Sequence, residues 1–429
     1  MRFNFKKNIE RQRPRLKNLA VLLLANVFTA GLGFLTTITI ANRLGSERFG
    51  QVAYAMAIGG IVAVNIRFGM DRSLIRDLTH FPEKFNHTLV ASLLARVTLL
   101  VLSITGLLLV KELPFANLEL SMGMFLIILA TALDPLQITN VFDVWEAQGR
   151  DALYLCMQRG TYFLLIWGAV LVAPGHLGLD WIGMSLLTAS VFMLSLQFRY
   201  AWGRIQPSFC PSDLSRIVQT AFDLIKKNRW LWMTSVAALG MTALNNVLLK
   251  HLAGFADLGV YAASFQLVSL GTLLLKNISR IGRPILARYT TPGKNTQQEI
   301  FRFLALYLAS GCFAVSCIAM PIIVFPKEIL ETLFTDEYAS GFWVLRIFGV
   351  YLFFRVFDTI LGQYIVLMRV DRSFFFTSTI SGILSTFSCL ILSPIFGAIG
   401  AASSLLFGEV FLSMSYIYIT KILMKRKTA

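Results

Sequence analysis

Charge is what this sequence has least of. Only 14% of its residues are charged and 56% are hydrophobic, where a soluble globular chain carries about a quarter charged residues. A chain of 429 residues with that balance lacks the polar surface to face water on all sides, which excludes a soluble enzyme or binding domain. Cysteine is sparse and unpaired in pattern. There are five, with no C-x-x-C, and Cys156, Cys312, Cys317 and Cys389 lie in or beside apolar runs, as small buried hydrophobes do. The four histidines never fall at zinc-ligand spacing and no D-x-D occurs, so neither a metal site nor a cofactor site is expected. No polar insert is long enough for a soluble domain. The longest connector, about 199–229, contains Pro207 and Pro211.

Long apolar runs are what is present. A stretch of about twenty such residues crosses a bilayer as a helix, and helices or closed barrels alone satisfy the backbone in lipid. Twelve stretches qualify, at roughly 19–41, 50–70, 87–110, 119–144, 152–173, 178–198, 230–250, 259–281, 302–325, 342–367, 373–393 and 397–420. The first is too long for the apolar part of a signal peptide, and further spans follow it. With the N-terminus in the cytoplasm, 28 of the 39 lysines and arginines fall on the cytoplasmic side and five on the other. This is a positive-inside distribution with both termini cytoplasmic. Basic ends against anionic lipid account for most of the +16 net charge, and no nucleic-acid partner is needed to explain it.

Six cations remain inside spans: Arg67, Arg96, Arg159, Lys276, Arg346 and Arg355, joined by Asp134, Asp358 and Glu409. Ionisable groups in a membrane are costly and usually face a bundle interior or a watery cavity. Residues 45–55, GSERFGQVAYA, are echoed at 254–264, GFADLGVYAAS. Counting 17 residues on from the second glycine of each, Gly50 and Gly259, lands on Arg67 and Lys276, so matched positions of two repeats carry a cation. Lys276, Arg280 and Arg283 share one helix face at i, i+4, i+7. Arg72 and Arg76 extend the first copy, and Asp71 stands one turn from Arg67. Snorkelling to the headgroups explains such cations as well as an anion site between two lobes does. Arg355 and Asp358, three apart, are spaced for an ion pair. Asp134, just before Pro135, suits either helix packing or ion coupling, and Arg96, Arg346 and Glu409 stand beside these as further cavity or coupling candidates.

The duplication continues at 178–187 and 397–406, each opening the last span of its half. Six spans per half give parallel repeats. The expected fold is therefore all-α and membrane-integral, with 12 transmembrane helices in two six-helix lobes around a central cavity. The expected division is an N-lobe at 1–206, a cytoplasmic linker at 207–229 and a C-lobe at 230–429. The stretch LGSERFGQVAYAMAIGGIVAVNIRFGMDRSLIR (44–76) resembles the first two helices of polysaccharide and O-antigen (Wzx-type) flippases of the multidrug/oligosaccharidyl-lipid/polysaccharide (MOP) exporter superfamily. ADLGVYAASFQL (256–267), LFTDEYASGFWVLRI (333–347) and SPIFGAIGAASS (393–404) are similar to that family's later motifs, with Thr335 and Ser393 as small departures.

The resemblance implies a flippase that carries an undecaprenyl-pyrophosphate-linked oligosaccharide from the cytoplasmic to the periplasmic leaflet of a bacterial inner membrane. It implies alternating access, coupling to H+ or Na+, and polysaccharide polymerase and chain-length proteins as partners. A pyrophosphate arriving from the cytoplasmic leaflet needs cations near that leaflet, which singles out Arg67, Lys276 and Arg280. The rivals are a multidrug exporter of the same superfamily, whose cavity favours acidic groups, and a lipid II flippase, whose branch carries two extra helices. From a different class comes a membrane glycan polymerase or glycosyltransferase, for which the outer connector at 326–341 offers no histidine.

Overall fold

A computed structural model describes residues 5–80, 85–112, 120–145, 147–172, 175, 177–204, 214–290, 296–368 and 370–426. Pro207 and Pro211 lie outside the described residues, as do the side chains of the basic N-terminal arm and of Arg72 and Arg76. The described chain is helical throughout. In order it forms α1 (Phe5–Arg67), α2 (Met70–His80), α3 (Phe85–Lys111), α4 (Met122–Leu133), α5 (Thr139–Val144), α6 (Gln148–Val172) and α7 (Leu179–Trp202). It continues with α8 (Leu214–Leu239), α9 (Ala243–Ala253), α10 (Phe255–Tyr289), α11 (Gln297–Val324), α12 (Pro326–Leu333), α13 (Phe342–Leu367) and α14 (Asp371–Arg426). Among the described residues, nine helical segments are long and apolar enough to cross a membrane.

Two of these segments are long enough for two crossings. Leu24–Arg67 has 44 residues and Arg372–Met424 has 53. At ~1.5 Å per residue these are about 66 and 80 Å, against a hydrocarbon core of about 30 Å. Each is broken by a glycine, Gly45 (φ 76°) in α1 and Gly397 (φ 56°) in α14. The run expected at 119–144 is also interrupted. Pro135 ends α4, and residues 134–136 form one 3-10 turn before α5 begins. Proline there has no N–H to donate and its ring clashes with the preceding turn. The run expected at 50–70 stops at Arg67, because Phe68 and Gly69 both take positive φ before α2 begins. Residues 214–229, expected within a connector, are helical and run on into α8.

The chain forms two compact bodies and passes between them within α1 and α8. The first holds Met1–Thr39 with Ile58–Val236. Its inner layer is apolar, with Leu74, Leu78, Leu89, Val141 and Phe142 of α2, α3 and α5 sharing one core. The second holds Ile40–Ala57 with Ala237–Ala429. Here α13 is central, burying Leu345, Phe348, Leu352, Val356 and Ile360 against α10, α11 and α14.

The echo between residues 45–55 and 254–264 is visible in the backbone of this second body. Gly45 (φ 76°, ψ 173°) and Gly254 (φ 95°, ψ −180°) adopt the same conformation, one that L-residues rarely reach. The helical turns that follow cross each other. A Cβ built on Gly50 would lie 1.9 Å from the Phe255 carbonyl oxygen, and one built on Gly259 would lie 1.9 Å from the Ser46 carbonyl oxygen. The contact is reciprocal, and backbone meets backbone. Around it, the Asn42 amide donates to the Leu333 carbonyl at 2.9 Å, and its oxygen accepts from Thr335 N–H at 3.2 Å. Tyr338, fully buried, donates to the Ala41 carbonyl at 3.1 Å.

The amides freed at the glycine breaks are capped by carboxylates from distant helices. Ser46 N–H donates to Glu337 Oε2 at 2.8 Å, and Ala398 N–H donates to Asp257 Oδ1 at 2.8 Å. Carboxylates suit the positive end of a helix.

Two outcomes follow from this packing. Gly50→Ala and Gly259→Ala each force a backbone crossing apart. Each should lower the thermal unfolding midpoint in detergent by the equivalent of about 1–3 kcal/mol of overpacking, while Gly31→Ala, where a Cβ would meet no atom within 4 Å, should leave it unchanged. Asp257→Ala should cost about 1 kcal/mol as a lost cap. Asp257→Asn, which keeps an acceptor, should recover most of that loss in the same measurement.

Candidate cation sites

In the first body the charged residues gather on Asp71, in the first turn of α2. Its Oδ1 accepts from Arg96 NH2 at 2.8 Å and from Asn140 Nδ2 at 3.2 Å, and its Oδ2 lies 3.9 Å from Arg67 Nε. Arg96 is buried and also donates through NH1 to the Pro135 carbonyl. That carbonyl belongs to the break between α4 and α5. The Ile138 N–H of the same break donates to Gln197 Oε1 at 3.1 Å, and Gln197 in turn donates to Asp151 at 2.7 Å. Backbone groups freed inside a membrane must find partners within the protein. Arg96 therefore completes a broken helix and is committed to it.

Asp134 begins that same break and accepts from the Gln137 side chain at 3.1 Å. Arg67 is placed differently. It is the last residue of α1, where a cation complements the helix dipole, and its side chain is 47% exposed. The helix ends there because the Phe68 ring stacks on Trp232 at 5.0 Å and Gly69 has no room for a Cβ against Leu231.

In the second body α10 carries Lys276, Arg280 and Arg283, all exposed, at the helical spacing that puts them on one face. None of the three has an ion-pair partner among the described residues. The helix behind them is fixed. Leu275, Gly282 and Leu286 form its buried seam, and Gly282 accommodates the ring of Tyr307. Gln363 of α13 donates to Ser279, and the Tyr307 hydroxyl lies 3.4 Å from the Ile278 carbonyl. The stripe of cations is thus held by a packed seam on a neighbouring face. Where α1 breaks after Arg67, α10 runs unbroken past Lys276, so the backbone likeness of the two repeats does not extend this far.

The remaining intramembrane charges, Arg159 apart, have partners. Arg346 donates Nε–H to the Ile323 carbonyl at 3.1 Å and lays its guanidinium over Trp343 at 4.8 Å, a cation–π contact. Arg355 and Asp358 form the ion pair their spacing suggests, NH1 to Oδ2 at 2.9 Å. The same NH1 donates to Glu409 of α14, 3.2 Å from both of its oxygens. Arg159 is exposed. Sequence reasoning names Arg96, Arg355 and Glu409 one by one. It misses Asn140 and Gln197 altogether, because a single uncharged amide in an apolar run forms no motif, and it leaves Arg96 without its partners, which lie on other helices.

Comparison with known proteins agrees with this architecture. Over 385 residues the chain is 23% identical to a protein of Haloferax volcanii described as a probable low-salt glycan biosynthesis flippase, covering 89% of this chain and 78% of that one. Its fold matches that of the lipid II flippase MurJ in an inward closed conformation, with a TM-score of 0.74 and 14% identity over 94% of this chain and 87% of that one. It also matches an inward-facing multidrug resistance MATE family transporter of the MOP superfamily, with a TM-score of 0.71 and 12% identity over 96% and 99%. These are membrane transporters, and the fold is theirs rather than that of a glycan-polymerising enzyme. A family model described as polysaccharide biosynthesis protein matches residues 15–290, and the chain belongs to that family.

Proposed function

We propose that this protein is a flippase for a lipid-linked glycan. In this reading an oligosaccharide on a polyprenyl pyrophosphate crosses the bilayer by alternating access while its lipid tail stays in the membrane. Twelve spans arranged as two parallel six-helix repeats would carry the movement. The setting is a multi-pass cytoplasmic membrane protein with both termini inside. A bacterial inner membrane with an O-antigen or other polysaccharide repeat unit fits the motifs at 44–76 and 333–347, and the relative from Haloferax volcanii extends the same chemistry to an archaeal glycan.

One observation carries the reading: the row Lys276, Arg280 and Arg283, exposed along one face of α10 with no acidic partner among the described residues. Every other described intramembrane cation except Arg159 has a carboxylate or carbonyl close by, Arg67 the most loosely. Unpaired cations held in a membrane protein call for an anion from outside, and phosphate oxygens supply it by charge-assisted hydrogen bonds. A multidrug exporter moving cationic compounds gains nothing from such a row. We assign Lys276, Arg280 and Arg283 to the pyrophosphate, and Arg67, with Arg72 and Arg76 beyond it, to the same substrate class in the first body.

Each charge-assisted hydrogen bond lost costs about 1.5–3 kcal/mol, so Lys276→Ala and Arg280→Ala should each weaken binding of a polyprenyl-pyrophosphate oligosaccharide about tenfold or more. Binding is measured on the purified protein. In cells the double variant, present at normal membrane levels, should fail to complement a deletion strain, and the lipid-linked oligosaccharide should accumulate on the cytoplasmic leaflet. Full complementation by the double variant would overturn the assignment. Arg67→Lys separates planar recognition from charge alone, since lysine keeps the charge and loses the two-pronged contact.

A further inference from the structure

The second body holds a group of charges that does not balance. Glu409 of α14 is fully buried, and Asp358 of α13 is 16% exposed. Both carboxylates converge on one nitrogen, Arg355 NH1, at 3.2 and 2.9 Å. Fully ionised, the three side chains carry one net negative charge. Tyr351 and Tyr416, both buried, are the phenols beside them. The described groups that bear on the three side chains are one another and Tyr351. Two carboxylates that share one guanidinium in a low-dielectric interior each make ionisation of the other more costly.

We propose that Arg355, Asp358 and Glu409 form a proton-binding site in which the two carboxylates share one proton. Protonation converts one carboxylate to a carboxylic acid, whose O–H becomes a donor, and the cluster becomes neutral. Loss of the proton leaves a buried net charge that the surrounding helices can relieve only by moving or by admitting water. Access is built in. Arg355 is 37% exposed, and it lies two residues, about 200° around the helix, from Phe357. Phe357 lines an apolar groove of about 580 Å³ with Leu304, Leu308 and Leu361. The open side of the guanidinium therefore faces away from that apolar groove. Asp358, the more accessible carboxylate, is the point at which a proton enters and leaves, and Glu409 is its sealed partner.

The test is infrared spectroscopy on the full-length protein in phosphatidylcholine nanodiscs, without substrate. The wild type should show a protonated-carboxyl C=O absorption at neutral pH that disappears at alkaline pH. Asp358→Asn and Glu409→Gln should each abolish it, because the remaining carboxylate then balances Arg355. Arg355→Met should about double it, because both carboxyls then need a proton. A purely structural ion network would give no such band in the wild type. Its absence there, its survival in both carboxyl variants, or its appearance only when sodium is withdrawn would overturn the proposal, the last outcome marking an alkali-cation site instead. Glu409 is deeply buried, so circular dichroism and monodisperse elution must first verify its variant's fold. Asp358→Asn and Arg355→Met carry the test if that variant does not fold. The readout needs no glycan, so its failure leaves the flippase reading standing, and failure of that reading leaves the proton site standing.

Discussion

A helix that breaks leaves backbone groups without their helical partners, and this protein is organised around re-partnering such groups. It breaks at Gly45, at Pro135 and at Gly397. In each case a side chain from elsewhere in the same body takes up a freed group. Glu337 accepts from Ser46 N–H, Asp257 accepts from Ala398 N–H, Arg96 donates to the Pro135 carbonyl, and Gln197 accepts from Ile138 N–H. At Pro135, within the run at 119–144, an unsatisfied backbone group would cost several kcal/mol, and the hydrogen bonds with Arg96 and Gln197 relieve it. Charge that looks wasteful on a hydropathy plot is thus part of what allows the chain to turn at these breaks.

This sorting gives the intramembrane charges distinct roles. Arg96 belongs to the backbone. Arg346 packs flat on Trp343 and closes the Ile323 carbonyl. Arg355 is held by two acids. Lys276, Arg280 and Arg283 remain, exposed and without acidic partners among the described residues, and Arg67 is held to Asp71 at only 3.9 Å. The residues that turn toward substrate in our reading are those the fold itself does not need. That division could not be made by depth alone, which places Arg67 and Arg96 in the same class.

Much of the architecture was legible in the sequence because lipid simplifies it. Length and apolarity mark α3, α6, α7, α11 and α13 to within a few residues of their observed ends. The glycine echo marks the two turns whose backbones prove alike. What was not legible is whatever depends on a partner distant in sequence. Glu337 sits in a stretch that reads only as a turn, yet it caps a helix 291 residues away. The end of α1 at Arg67 was hidden for a similar reason. No proline marks it, and it is fixed by the stacking of Phe68 on Trp232. Nor does the sequence show that residues 40–57 pack into the second body, since their composition matches that of the spans on either side.

The crossing of Gly50 with the Phe255 carbonyl, and of Gly259 with the Ser46 carbonyl, bears on how a duplicated chain can diverge. After a duplication, one copy is usually free to drift while the other preserves the function. Here neither copy is spare, because each glycine is confined by the backbone of the other copy rather than by any side chain that could change with it. No compensating substitution exists for a clash with a carbonyl oxygen. The halves can lose their likeness almost everywhere, as the unbroken α10 beside the broken α1 illustrates, and still be held in register at this one place.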